Sequence, residues 1–154
     1  MSESDKIKVI ATNRKANFEY EILKTIEAGL VLTGQEAKSV KIGGMNLTGA
    51  FVTFHGVIPL LTNASIAPYK NAGALPDYDP GVSRRLLLRK KQIYDWRAQA
   101  EERGLTIVPL KVYIKDRLIK VEIALARGRH KYDKRQALKK KDLKKEIRET
   151  RGTP

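Results

Sequence analysis

The stretch from Ile107 to Ala126 constrains this chain more than any other. Val108, Leu110, Val112 and Ile114 alternate with Ile107, Pro109, Lys111, Tyr113 and Lys115. Asp116-Arg117 follows as a turn, and Ile119, Val121, Ile123 and Leu125 then alternate with Lys120, Glu122, Ala124 and Ala126. Alternation with a period of two puts one set of side chains on each face of a strand. The spacing therefore predicts an antiparallel hairpin with one apolar face and one polar, largely basic face. Such a hairpin must lay its apolar face on further strands or a helix.

The rest of the chain supplies those partners. Ile7 to Ala11 predicts a short strand, and Asn13 to Ala16 a basic turn. Phe18 to Leu32 predicts a strand that slips at Leu23 and bends or bulges at Gly29. Thr33-Gly34-Gln35-Glu36 has the pattern of a capping box, so a short helix should run from about Gln35 to Ile42 and stop at Gly43-Gly44. Lys38 and Lys41 stand three apart on it. Phe51 to Phe54 and Val57 to Leu61 flank His55-Gly56, which predicts a hairpin with Gly56 at positive φ, and strand continues to Ile66. A long loop, Ala67 to Val82, contains three prolines and two glycines. Ser83 then resembles an N-cap, and Arg84 to Arg103 reads as one long helix closed by Gly104, with Leu86, Ile93, Trp96 and Ala100 on its apolar face. Leu86-Leu87-Leu88 wraps too far round for one stripe, so at least one of these leucines should be exposed or meet a partner. The expected fold is mainly β with helices: a small antiparallel barrel, closed or nearly so, of the kind that binds oligonucleotides on an exposed strand face, with one long and one or two short flanking helices.

Charge narrows the partner. The chain of 154 residues carries a net charge of +14. Between Arg127 and Arg151 there are 12 Lys or Arg against 4 Asp or Glu. This segment has helix-forming composition but few apolar residues, which suits a tail that is disordered alone and helical on a polyanion. Composition alone leaves a merely solubilising tail open. No apolar run approaches the ~20 residues that span a bilayer, so no membrane role is expected, and the N-terminal residues lack the apolar core of a secretory signal. There is no Cys, which excludes thiolate sites and suits a cytoplasmic setting.

No catalytic or cofactor motif is found: no phosphate loop, no GxGxxG, no HExxH. The two histidines, His55 and His130, fall in a hairpin turn and in the basic tail, so neither a metal nor a cofactor is expected. Basic residues are instead spread over separate elements, as a phosphate backbone requires: Arg14 and Lys15, Lys38 and Lys41, the long helix, Lys111, Lys115, Lys120 and the tail. Phe18, Tyr20, Tyr113 and Tyr132 accompany them as candidates for stacking on unpaired bases. Glu27 stands beside Gly29 either as a carboxylate accepting backbone N–H groups at a bend or as an acceptor for base-edge or ribose donors.

Seven motifs in order carry a resemblance to a known family. They are NRKANFEYEI (Asn13–Ile22), EAGLVLTGQEAKS (Glu27–Ser39), IAPY (Ile66–Tyr69), DP followed by RRLLLRK (Asp79–Lys90), GLTIVPLKVYIK (Gly104–Lys115), KVEIALARG (Lys120–Gly128) and YDKR (Tyr132–Arg135). The chain resembles the SmpB family, the proteins that bind transfer-messenger RNA (tmRNA, the SsrA RNA) in bacterial ribosome rescue. The resemblance implies an RNA-binding adaptor rather than an enzyme. It implies an RNA-binding barrel over residues 1–128 that holds the tRNA-like domain of tmRNA, one protein per tmRNA, and a basic tail over 129–154. Carried over by motif, Asn13, Arg14, Lys15, Glu27, Lys38, Leu87 and Lys120 would contact RNA. Tyr132, Asp133, Lys134 and Arg135 would meet small-subunit rRNA at the decoding centre of a stalled 70S ribosome. Lys139, Lys140, Lys144, Lys145 and Arg148 would lie on a helix in its empty mRNA channel. The chain departs from the family at Gly81-Val82, where a further Arg is usual. The alternative is a basic ribosomal protein whose tail is buried in rRNA.

Overall fold

A computed structural model describes residues 7–70 and 77–129. The tail assignments from His130 onward, and the expected second segment 129–154 apart from Arg129, lie outside the described residues. The elements are β1 (Ile7–Thr12), α1 (Ala16–Glu19), β2 (Tyr20–Leu30), α2 (Gly34–Lys41), β3 (Met45–Asn46), β4 (Phe51–His55), β5 (Ile58–Thr62), β6 (Ser65–Ile66), β7 (Arg84–Leu87), α3 (Lys90–Arg103), β8 (Thr106–Lys115) and β9 (Leu118–Gly128).

The β8–β9 hairpin forms, but a bulge between Pro109 and Lys111 splits the expected apolar row of β8: Ile107 and Val112 face the main core, whereas Val108 and Leu110 pack on the opposite side. Its register runs from Thr106 opposite Ala126 to Lys115 opposite Leu118, and Asp116 and Arg117 both adopt positive φ, which matches the twist of a tight hairpin. The hairpin sits inside an antiparallel sheet of seven strands in the order β1-β8-β9-β2-β7-β5-β4. The sheet curls until β4 lies against β8, but no hydrogen-bond ladder joins those two strands, so the barrel is not closed. The main core fills the concave side. Leu61, Ile66, Leu86, Val112, Val121, Ile123 and Leu125 are buried there, and Trp96 of α3 is 3% exposed.

Local signals held where the determining contacts are local. The Thr33 hydroxyl accepts from the Glu36 amide at 3.2 Å, and Glu36 Oε1 accepts from the Thr33 amide at 3.1 Å, so the capping box of α2 is complete. Gly43 at φ 87° ends that helix. Gly56 at φ 64° turns the β4–β5 hairpin.

Four further expectations are corrected. Arg84 to Leu87 is a strand, not the first turn of the long helix; α3 begins at Lys90 after Arg89, whose amide donates to the Gln92 side chain at 3.0 Å. The physical reason is pairing. Leu86 lies opposite Leu30 and Arg84 opposite Leu61, so β7 fills the gap between β2 and β5 that would otherwise leave two strand edges unpaired. The irregularity in β2 falls between Ile22 and Lys24, at the slip in its pattern, and not at Gly29, which pairs on both sides. Phe18 lies in the single-turn helix α1 rather than a strand, because Asn13 turns the chain there. Finally, Ala124 and Ala126 are not on an open polar surface. With Val108 and Ala16 of α1 they form a second small buried cluster, because α1 covers that end of the hairpin.

Candidate nucleic-acid interface

The pairing registers decide which side chains share the convex face. One row runs straight across five strands: Val9, Tyr113, Lys120, Gly29 and Leu87. On one side of it the next row carries Lys111, Glu122 and Glu27; on the other, Lys115 stands two residues from Tyr113. Directly opposed residues point to the same side of a sheet. Lys111, Lys115, Lys120, Glu27 and Leu87 therefore come from four strands to one surface.

Leu87 and Leu86 show why. In a strand, neighbours face opposite ways. Leu86 is 1% exposed in the core, and Leu87 is 54% exposed on the convex side. The expectation that one leucine of the run escapes the core is met, by strand alternation rather than helical wrapping. Gly29 makes room for it: a Cβ there would stand 3.2 Å from Leu87 Cβ and 3.3 Å from Cδ1.

Among the described residues, Glu27 has a side chain as its hydrogen-bond partner and not a backbone N–H at a bend. Its Oε2 accepts the Tyr113 hydroxyl and lies 3.6 Å from Lys115 Nζ. The Tyr113 hydrogen bond holds this carboxyl below the ordinary carboxylate value, against partial burial, with Lys115 and Lys120 adding to the effect. Glu27 is thus an ionised acceptor held by Tyr113 and Lys115. Tyr113 is corrected in turn. It is 5% exposed, so it is no platform for a base. Burial, then the hydrogen bond and charge of Glu27, push its phenol upward, so it remains a donor.

Glu27, Gly29, Leu87 and Lys120 line one shallow groove together with Leu88, Arg89 and Gln92. The groove offers a carboxylate acceptor, two cations, an amide and two aliphatic walls. This is the inventory that recognises unpaired nucleotides, with cations for phosphate, acceptors for exocyclic or ribose donors and apolar surface for a ring or sugar. Leu88 was expected only as one of the leucine run and Arg89 only as one basic residue of the long helix, and Gln92 was not singled out from the sequence. The alternation in Arg84 to Leu87, read as strand, would have moved the helix start to Lys90 and exposed Arg89 and Gln92 as its entrance.

The other expected contacts lie elsewhere. Asn13 is 5% exposed; its side-chain amide donates to the Pro109 carbonyl at 2.9 Å and its backbone amide to the Leu110 carbonyl at 2.7 Å. It ties the turn that presents exposed Arg14 and Lys15, and Lys15 lies 3.9 Å from Glu19. This turn precedes the start of β2, seven residues from Glu27 along the strand, roughly 23 Å at strand rise. Lys38 lies on α2, 5.7 Å from the Tyr69 ring centroid, and does not line the groove. Tyr20 packs against the second apolar cluster. His55 is exposed at the end of β4. Among the described residues no group of three His, Asp or Glu is placed to hold a metal, and no helix is long and apolar enough to cross a membrane.

Known proteins resemble this chain over most of its length. Residues 10–152 match the family model described as SmpB protein. An SsrA-binding protein of Sulfurihydrogenibium sp. (strain YO3AOP1) is 51% identical over 140 residues, covering 91% of each chain. One from Persephonella marina is 47% identical over 141 residues, 92% of each chain. A solved structure described as "tmRNA-SmpB: a journey to the center of the bacterial ribosome" superposes with a TM-score of 0.65 at 41% identity, covering 82% of this chain and 92% of the other.

Proposed function

The chain belongs to the SmpB family, and on that premise we propose that its convex sheet face binds the tRNA-like domain of tmRNA and brings that RNA to stalled ribosomes. It acts in the cytoplasm as a binding adaptor, one copy per tmRNA, without a catalytic step. The observation that carries this reading is the convergence of Glu27, Leu87 and Lys120 from three strands into one groove, with Tyr113 holding the carboxylate ionised. Arg14 and Lys15 extend the surface at the far end of β2 as phosphate contacts, Asn13 shapes their turn, and Lys38 is an outlying cation for the same RNA.

Residues 1–128 form the RNA-binding domain in this reading. Residues 129–154 occupy the vacant mRNA path, with Tyr132, Asp133, Lys134 and Arg135 at small-subunit rRNA of the decoding centre. Lys139, Lys140, Lys144, Lys145 and Arg148 lie further along the channel. The tail's concentration of basic residues is what a path lined by rRNA phosphate selects.

Purification of the full chain from cells, with sequencing of the RNA that accompanies it, tests the proposal. One dominant tRNA-like RNA, with enrichment of the protein on stalled ribosomes, is the expected result. Equal stoichiometry on all ribosomes without such an RNA would instead make it a ribosomal structural protein.

A further inference from the structure

A second groove opens on the other side of Leu87. It lies between β5, β7 and α3, has a volume of about 280 Å³, and is walled by Val57, Pro59, Leu87, Ile93 and Tyr94. Three exposed large apolar residues, Val57, Leu87 and Tyr94, meet here, and Tyr94 is 60% exposed. Scattered exposed apolar residues are ordinary, whereas several around one concavity mark a binding surface.

The groove is built before any ligand arrives. Arg97 Nη1 donates to the Gly56 carbonyl at 2.6 Å, which ties α3 to the β4–β5 turn that carries Val57. Lys24 and Asp95, 3.9 Å apart, tie the opposite side of α3 to β2. The N-terminus of the helix is fixed by the Arg89–Gln92 hydrogen bond. The Arg97–Gly56 hydrogen bond thus joins the two walls.

Its charge and continuity say what enters. The charged lining residues are Arg85 and Lys90, both exposed cations, and among the described residues no acid lines the groove. Leu87 and Leu88 also line the polar groove with Glu27 and Lys120, so the two concavities are adjacent and share a wall. A nucleic acid held at Glu27 and Lys120 would pass this opening with its phosphates beside Arg85 and Lys90. The volume lies just below the range of drug-sized ligand sites, which suits one ring system and not a helix or several nucleotides. An exposed tyrosine ring beside aliphatic walls is the surface on which a base stacks.

We propose that this apolar groove takes one unpaired nucleobase of the bound RNA, stacked on Tyr94 between Val57 and Leu87, with the flanking phosphates at Arg85 and Lys90. The inference rests on the proposed RNA-binding reading and adds to it a subsite for a base. Because stacking uses the ring face, the hydroxyl of Tyr94 is dispensable and the sequence of the base is only weakly selected.

The test uses the full chain and a transcript of the tRNA-like domain of tmRNA. Each unpaired nucleotide is replaced in turn by an abasic one, and binding is measured to wild type, Tyr94→Ala, Tyr94→Phe and Tyr94→Leu. Stacking energies per base correspond to roughly 5- to 150-fold in affinity. Tyr94→Ala and Tyr94→Leu should weaken binding within that range, and Tyr94→Phe should not. One abasic position should weaken wild type by a similar factor and leave Tyr94→Ala nearly unchanged. The exposed position makes misfolding easy to check by thermal unfolding. If Tyr94→Ala binds the RNA within twofold of wild type while Glu27→Ala binds weakly, the base subsite is wrong and the polar groove stands. If Tyr94→Ala binds RNA normally but no longer joins ribosomes, the groove receives a ribosomal component and the proposal is likewise overturned. Failure of the wild-type chain to bind the transcript would remove the underlying RNA-binding reading itself.

Discussion

Arg84 and Glu36 form a buried, two-pronged ion pair: Nη2 and Nε of the guanidinium lie 2.7 and 2.9 Å from the same carboxylate oxygen. The Tyr78 hydroxyl approaches the same oxygen at 3.4 Å and donates to the Ile66 carbonyl at 2.8 Å, while Arg84 Nη1 donates to the Ala64 carbonyl at 3.0 Å. One cluster thus joins the N-terminus of α2, strand β7 and the end of the long loop. The two partners of the ion pair are 48 residues apart in the chain.

Removing one partner should be costly. Arg84→Met leaves Glu36 buried without its counter-ion, and denaturant unfolding should show a loss of about 3–5 kcal/mol. Adding Glu36→Gln removes the stranded charge yet keeps a side chain able to cap α2. The double variant is therefore expected to recover part of the loss. Burial alone would raise the Glu36 carboxyl, but hydrogen bonds from the Thr33 amide and Arg84 outweigh it, and the net value is lowered. A lowered folded-state value adds stability above the unfolded value of 4.5 that is lost as pH falls through the folded value. In Arg84→Met this acid-side loss should shrink.

Adjacent leucines should give opposite phenotypes. Leu86→Ala opens a cavity in the core and should cost about 2–5 kcal/mol of stability. Leu87→Ala removes an exposed side chain and should change stability by about 0.5 kcal/mol or less, yet weaken tmRNA binding because it takes away a wall shared by both grooves. Thermal unfolding and RNA titration on the same pair of variants separate the two effects.

The Tyr113–Glu27 contact should be visible in pH profiles at both ends. Tyr113→Phe removes the main interaction that holds the Glu27 carboxyl down, so an NMR titration should find it moved up toward its ordinary value of 4.5. On the alkaline side, the raised phenol of Tyr113 contributes stability that is present below its ordinary value of about 10 and declines above it. Wild type should therefore lose stability above pH 10 more steeply than Tyr113→Phe.

Lys120→Ala and Glu27→Ala should both weaken binding to the tRNA-like domain, but with different salt dependence. Loss of one phosphate contact should make the slope of log affinity against log salt shallower by about 0.7–0.9. Glu27→Ala deletes a hydrogen-bond acceptor and no counterion release, so its slope should stay at the wild-type value.

Truncation after Gly128 should retain most tmRNA affinity, because β9 ends at that residue and, among the described residues, all that line the polar groove lie before it. Tagging of peptides on stalled ribosomes should be lost. If the truncated chain instead loses most RNA affinity, the division of labour between residues 1–128 and 129–154 is wrong.

The parts that could be read from the residues are those whose causes lie close together in the chain. The capping box of α2 needs only Thr33 and Glu36. The β8–β9 hairpin needs alternation and a turn that tolerates positive φ at Asp116 and Arg117. Glu27 and Lys120 were legible as an isolated acid and a strand cation and Leu87 through motif resemblance, whereas Gln92 and the role of Tyr113 were not. Tyr113 follows the same alternation as Lys111 and Lys115, and nothing in that pattern distinguishes a stacking ring from one closed over by its neighbours.

The amino-acid order alone thus determined the strand periodicity, the basic balance, the helix start at Thr33 and the family. Tertiary structure alone decided that Arg84 to Leu87 pairs as a strand. A run of Arg and Leu has good intrinsic helix propensity, but that preference amounts to tenths of a kcal/mol per residue. Between β2 and β5, extension satisfies the backbone groups of both neighbours, buries Leu86 and delivers Arg84 to Glu36. Those long-range terms are larger, and they turn Leu87 outward to the surface where the two grooves meet.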